Sequence, residues 1–259
     1  MSDDRPDLSA LARVAQEVAA EWGVALGPAF ALIRYSYVAA AGDDAVIKVT
    51  PPEDDEADEE SDALELWGGV GAVRLLRRDR RRRALLTERA RPGTDIASLP
   101  DERATAIGVE LGRALWRPAE APFRWIGDHV PRWLDDAERD GRIGSELMPF
   151  ERELYAGLGV GRTTLVHGDF HHHNILDAGD RFLTIDPKPM LGEPEFDVPA
   201  FLWNPIGYRM EREQTERRIG AFVDAGLDGE RIRAWSIIRG AYLGADPDEV
   251  TVLHALLSA

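Results

Sequence analysis

Apolar positions recur along the chain with two different periods, and the change from one to the other divides it. Residues 8–22, LSALARVAQEVAAEW, place Leu11, Val14, Ala15 and Val18 at helical spacing, and Gly23 follows as a stop. The next runs are short, apolar and β-branched. AFALIRYSYVA over 29–39 predicts a strand and AVIKV over 45–49 a buried one, with AAGDD turning between them at Gly42 as a hairpin. Pro51 and Pro52 end the second strand, and an acidic segment enters a helix that runs to about Trp67, its carboxylates suited to a helix N-terminus. GAVRLL and ALLTERA predict a second hairpin around RRDRRRR (77–83), and RPGTDI (91–96) reads as a crossover. From about residue 98 the helical period takes over. Ile107, Leu111 and Leu115 lie four apart in DERATAIGVELGRALW, with Asp101 as the cap. Further helices are expected over 130–138, 145–157, 209–225, 228–243 and 247–258. The pattern predicts an α+β chain, with a β-rich N-terminal lobe (1–90) and a mainly helical C-terminal lobe (91–259).

Composition narrows the class. With 259 residues and 44% hydrophobic content there is enough apolar material for a sizeable core, and no run reaches the roughly 18 apolar residues of a membrane span. The acidic start MSDDRPDLSALARV lacks the layout of a secretory signal, and the absence of cysteine excludes disulfides and thiolate metal sites. A soluble, cytoplasmic protein is expected. The 31 basic and 47 acidic residues leave a net charge of −16, which repels nucleic acid and anionic lipid and suits a small, cationic partner. The arginine run therefore reads as a solvated turn rather than a nucleic-acid patch. Arginine supplies all the basic residues except Lys48 and Lys188, so each lysine marks a place where a compact ammonium is wanted.

The densest chemistry lies in HGDFHHHNIL, His167 to Leu176. Three consecutive histidines suggest a metal tract, but neighbouring residues on a strand or helix point to different sides and cannot converge on one zinc ion. The spacing of Asp169 and Asn174 is more informative. It is the H-x-D-x-x-x-x-N spacing of protein kinases, in which the aspartate accepts the proton of the attacking hydroxyl and the asparagine holds Mg²⁺. ILD, AGDR and FLTID then predict a hairpin that returns Asp186 toward Asn174, giving two hard-oxygen donors for Mg²⁺. Lys48 stands in AVIKV as the phosphate-pairing lysine does in V-A-I-K. Glu60 on the following helix is the candidate partner for it, with Glu59 and Glu65 as alternatives. No G-x-G-x-x-G precedes the lysine, which leaves Tyr35, Ser36 and Tyr37 as candidate donors to phosphate. Lys188, two residues after Asp186, is a second candidate for the phosphates. Glu193 and Glu195 could face a cationic substrate, and Asp197 reads as a brace for the loop.

HGDFHHHNIL, TIDPKPMLGEPEFD, AVIKV, LELWGG and LLTERARPG together resemble the aminoglycoside and hydroxyurea phosphotransferases, most of all their streptomycin 6-kinase-like branch, over about residues 20–205. The resemblance implies a two-lobed protein-kinase-like fold that uses ATP and Mg²⁺. Asp169 would be the catalytic base, Asn174 and Asp186 the metal ligands, Lys48 the phosphate contact and Glu60 its anchor. The segment from Leu86 to Ala90, including Glu88, would bind adenine through its backbone. His167 would anchor the loop, His171 would help shape it, and His172 and His173 read as spacers, His173 standing where the family often has glycine. The expected activity is phosphoryl transfer from ATP to a hydroxyl of an aminoglycoside-like or hydroxyurea-like compound. A kinase of another metabolite alcohol, and a non-catalytic nucleotide-binding homologue, are the competing readings. A protein kinase is disfavoured because PEFD follows Asp186 too soon for an activation segment.

Overall fold

The computed structural model describes residues 8–30, 35–55, 58–142, 147–205, 207 and 211–243. Its elements are α1 (Leu8–Trp22), β1 (Leu26–Ala29), β2 (Tyr37–Ala41), β3 (Ala45–Val49), α2 (Glu60–Trp67), β4 (Leu75–Asp79), β5 (Ala84–Glu88), α3 (Asp101–Leu115), β6 (Arg117–Pro118), α4 (Ile126–Arg139), α5 (Met148–Leu158), β7 (Thr164–Val166), β8 (Ile175–Asp177), β9 (Phe182–Thr184), β10 (Met190–Gly192), α6 (Val198–Leu202), α7 (Arg212–Asp224) and α8 (Gly229–Leu243). Residue contacts divide the chain into two units: Met1–Thr94 with Leu176–Lys188, and Asp95–Ile175 with Pro189–Ala259. Among the described residues, no helix is long and apolar enough to cross a membrane.

The first unit is built on an antiparallel sheet of order β1-β2-β3-β5-β4. Alternation along β3 decides its two faces. Ala45, Ile47 and Val49 are buried on the side where Leu11, Ala15 and Val18 of α1 pack with Ala39, Ala84 and Leu86. Val46 and Lys48 therefore stand on the other face. The turn between β2 and β3 is made at Gly42, whose φ of +64° suits glycine. The arginine run lies at the β4–β5 turn, and four of its side chains are ion-paired: Arg78 with Asp62 and Glu65, Arg80 with Asp62, Arg82 with Glu21 and Asp79, and Arg83 with Asp58. The small β8–β9 sheet is fixed in this unit where the Thr184 amide donates to the Gly71 carbonyl at 2.8 Å and the Val73 amide to the Thr184 carbonyl at 3.0 Å.

The second unit is mainly helical around a short sheet of order β10-β7-β6. Its core joins Ile126, Val130 and Leu134 of α4 to Met148, Val166, Met190, Phe196, Trp235 and Ile238. Helix α8 is buried almost all round, from Ile232 to Tyr242. Pro131 lies inside α4, where it lacks the amide that would reach the Gly127 carbonyl. The Tyr155 hydroxyl donates to that carbonyl instead, at 3.4 Å.

Three readings of the pattern change. The expected single strand over 29–39 is the end of β1 and the start of β2, separated by other residues. Pro28 lies in β1, a position a proline tolerates on a sheet edge. Asp101 is the first residue of α3 rather than its cap; Pro100 is the cap, and the Asp101 carboxylate pairs with the buried Arg218 at 2.6 Å. Helix α4 starts earlier than the pattern suggests because Pro131 masks its first turn. The helix expected over 247–258 lies outside the described residues.

Candidate active site

Lys48 is the charged centre of the first unit. Its cross-strand neighbours are Val38 on β2 and Leu85 on β5, so its stem runs over apolar surface and its ammonium must find acidic partners. It finds two: Nζ donates to Glu60 Oε2 at 2.7 Å and to Asp186 Oδ1. Of the three candidate glutamates, Glu60 is therefore the one that meets Lys48, while Glu65 pairs with Arg78. Burial pulls the Lys48 pKa down, but the charges of Asp186 and Glu60 outweigh it and hold it above the usual lysine value. Burial raises the Glu60 pKa, Lys48 opposes this, and the like charge of Asp186 leaves the net shift upward. Two carboxylates thus share one ammonium. Asp186 has φ +54°, a left-handed conformation that costs energy for any residue with a Cβ and is often found at functional positions.

Other candidates of this unit are placed as follows. The Ser36 hydroxyl is buried and donates to Thr50 Oγ1 at 3.4 Å. Lys188 Nζ lies 3.4 Å from an oxygen of Asp54, a carboxylate that the pattern did not single out. The Glu88 carboxylate accepts from the Arg74 amide at 2.8 Å and from Arg181 at 3.0 Å, and the Glu88 amide donates to the Arg74 carbonyl, which ties Glu88 to the edge of the sheet. Ala90 follows just beyond β5.

The second unit holds Asp169 and Asn174. Nδ2 of Asn174 donates to the Asp169 carbonyl at 2.9 Å and to its Oδ2 at 3.1 Å. This fixes the amide so that Oδ1 of Asn174 remains the acceptor side. The loop is held from below by Asp197, which is fully buried. Its carboxylate accepts the His167 amide at 2.8 Å, the Gly168 amide at 2.7 Å and Trp116 Nε1 at 2.9 Å. Gly168 has φ +83°, which presents its amide to that carboxylate. Asp197 is the brace that its place in the sequence suggested. Burial raises the Asp169 pKa, but the hydrogen bond from His171, with the positive charge of Arg239 adding, holds it well below the usual carboxylate range. The side chain is therefore ionised at neutral pH.

The two histidines read as spacers are nothing of the kind. His172 is 1% exposed and stacks on Phe201 at 4.1 Å between centroids; burial drives its pKa down to about 3, so it is a neutral core residue. His173 Nδ1 lies 2.7 Å from Asp95 Oδ2. Glu193 and Glu195 are used within the unit: Glu193 accepts from Arg231 at 3.0 Å and from Trp235 at 2.6 Å, and Glu195 accepts the Asp228 amide at 3.0 Å. Arg239 is another residue that the pattern did not single out. Arg239 of α8 donates to the Phe196 carbonyl at 3.0 Å and to the Gly168 carbonyl at 3.2 Å. The signal was a charged residue inside the apolar run SIIRGAYL.

These local arrangements can be set against known proteins. Residues 31–250 match the family model described as aminoglycoside/hydroxyurea antibiotic resistance kinase. The chain belongs to that family. Among relatives, it is 30% identical to a streptomycin 6-kinase of Streptomyces glaucescens over 83% of this chain and 78% of that protein. It is 33% identical to a hydroxyurea phosphotransferase of Kitasatospora aureofaciens over 84% of this chain and 67% of that protein. Family membership makes it a phosphotransferase with an alcohol group as acceptor. Solved structures show the fold. A choline/ethanolamine kinase family protein from Mesorhizobium loti aligns with a TM-score of 0.66 at 15% identity, covering 95% of both chains. A ternary complex of aminoglycoside phosphotransferase APH(4)-Ia with ADP and hygromycin B aligns with a TM-score of 0.60 at 16% identity, covering 95% of this chain and 98% of that one. The family therefore has a protein-kinase-like fold here, with a β-sheet unit and a helical unit.

Proposed function

We propose that the protein transfers the γ-phosphoryl group of ATP to a hydroxyl of a small, polar, aminoglycoside-like or hydroxyurea-like molecule, inactivating it, in the cytoplasm where ATP is made. The observation that supports this most is the Asp169 carboxylate, bonded to Asn174 on a loop whose amides are tied down by Asp197, in a chain of this family. Phosphoryl transfer asks little covalent chemistry of a protein; it asks for positioning and charge.

In this reading Asp169 accepts the hydrogen bond of the attacking hydroxyl. A carboxylate held well below its usual pKa is a weak base, so it orients the nucleophile and takes the proton late. Lys48 contacts the phosphates and Glu60 keeps the ammonium in place. Lys188 adds a second cation on the phosphate side. The backbone at Glu88 and Ala90 meets adenine, whereas the buried Ser36 hydroxyl, which donates to Thr50 Oγ1, is not counted among the phosphate donors. Asn174 Oδ1 and the Asp186 carboxylate would each offer Mg²⁺ a hard oxygen donor, and the Asn174 amide is already oriented by its two bonds to Asp169. A bound ion would neutralise phosphate charge. A net charge of −16 favours a cationic acceptor.

The test is incubation with ATP, Mg²⁺ and a panel that includes streptomycin, hydroxyurea and amino alcohols, read by mass spectrometry for the gain of a phosphoryl group. Phosphorylation of an aminoglycoside or hydroxyurea by the wild type, lost in Asp169→Ala, is expected. Transfer to an amino alcohol alone overturns the acceptor class and leaves the kinase. Full transfer by Asp169→Ala overturns the assignment of the base.

A further inference from the structure

His171 makes two contacts that the reaction above does not use. It stands at the start of the 3-10 turn His172–Asn174, and its Nδ1 accepts the backbone amide of His173 at 3.2 Å. A backbone N–H can only donate, so Nδ1 is the accepting nitrogen of the ring and the ring proton lies on Nε2. Nε2 lies 3.4 Å from Asp169 Oδ1. The other carboxylate oxygen, Oδ2, receives Nδ2 of Asn174 at 3.1 Å. Both oxygens of Asp169 thus have a neighbour on the loop itself. The His171 ring is steadied in turn: its centroid is 5.9 Å from that of His173, edge to face, and His173 is held by Asp95 at 2.7 Å.

We propose that His171 is a positioning residue for the base, its Nε2–H holding Oδ1 of Asp169 while Asn174 holds Oδ2, so that the carboxylate is fixed in rotation. The inference rests on the reading of Asp169 as the base. A carboxylate turns freely about its last torsion, where the energy wells are broad, and only bonds to both oxygens fix it. The two nitrogens of His171 then have separable tasks: Nδ1 shapes the turn and Nε2 orients the base. Asparagine at this position can keep the acceptor of Nδ1 without the donor of Nε2. Glutamine can place an amide N–H close to Nε2 without the acceptor.

Two measurements test this. In the wild-type protein, long-range ¹H–¹⁵N correlation spectra should show His171 with its proton on Nε2; a proton on Nδ1 overturns the proposal without reference to activity. With whichever panel acceptor is phosphorylated, His171→Asn should lose about 10- to 100-fold in kcat with unchanged KM for ATP and acceptor, while His171→Gln should stay within about threefold of wild type. If His171→Asn is as active as His171→Gln, His171 only shapes the turn and the proposal fails. Retention of transfer by Asp169→Ala is a different result, which overturns the base and not the tautomer.

Discussion

The ammonium of Lys48 sits 2.7 Å from the Glu60 carboxylate, with side chains 12% and 4% exposed, and is shared with Asp186. Removing Glu60 leaves a buried cation with one partner instead of two. Because Asp186 remains, Glu60→Gln should cost about 1–3 kcal/mol in stability, less than the loss of a sole partner. Lys48→Ala should lower kcat/KM by about 10²–10³-fold by removing a preorganised charge. Urea unfolding and steady-state kinetics on the two variants check both statements. An unchanged kcat/KM in Lys48→Ala removes it from the phosphate site.

Asp197 accepts three donors while fully buried, so its loss strands three N–H groups. Asparagine can accept through one oxygen only, and its amide nitrogen would face a donor. Asp197→Asn should destabilise by about 2–4 kcal/mol and lower kcat as the loop loosens. Gly168→Ala probes the same loop through the backbone. A φ of +83° costs a residue with a Cβ about 1–2 kcal/mol, and relief of that strain would move the amide off Asp197. Both variants should melt earlier than wild type and turn over more slowly; a Gly168→Ala enzyme with wild-type kcat would show that the loop tolerates the shift.

What was legible in the chain is what local pattern encodes. The short apolar run AVIKV marked the strand that carries Lys48, and the spacing of Asp169 and Asn174 marked them as residues of one loop. The brace at Asp197 was readable from its place after β10. Long-range partnerships were not. Nothing local pairs His173 with Asp95, or lays His172 on Phe201, and a triplet of histidines in a polar loop looks dispensable until the fold supplies those partners. Asp101 failed for a similar reason. An acidic residue at a helix start suits capping, but the buried guanidinium of Arg218, from α7, competes for it.

Arg239 ties α8 to the loop through two carbonyls, those of Phe196 and Gly168, and lies over the Phe196 ring at 4.3 Å. Methionine can fill much of the same volume but cannot donate. Arg239→Met should cost about 2–3 kcal/mol and lower kcat, because the Gly168 carbonyl loses its donor. Arg239→Lys keeps the charge and loses the fork, so it should recover only part of the activity. Chemical denaturation and kcat measured side by side distinguish this from a purely structural role, in which stability falls and kcat does not.

Glu151 of α5 is 1% exposed, and burial pushes its pKa up from 4.5 to about 7. The direction fixes the pH dependence. Below pH 4.5 the carboxyl is protonated both folded and unfolded and contributes nothing. Between 4.5 and 7 the unfolded chain gives up the proton while the folded one keeps it, so stability declines as pH rises. Above pH 7 the folded group ionises too and the cost stays constant, with a ceiling of about 3 kcal/mol. Glutamine has the same shape and no proton to lose. Glu151→Gln should therefore be more stable than wild type by about 1–3 kcal/mol at pH 8.5, and by less than half of that at pH 5.5. Urea unfolding of both proteins at the two pH values measures the difference. A gain that is equal at both pH values would show that the carboxyl ionises in the folded protein as it does in the unfolded chain.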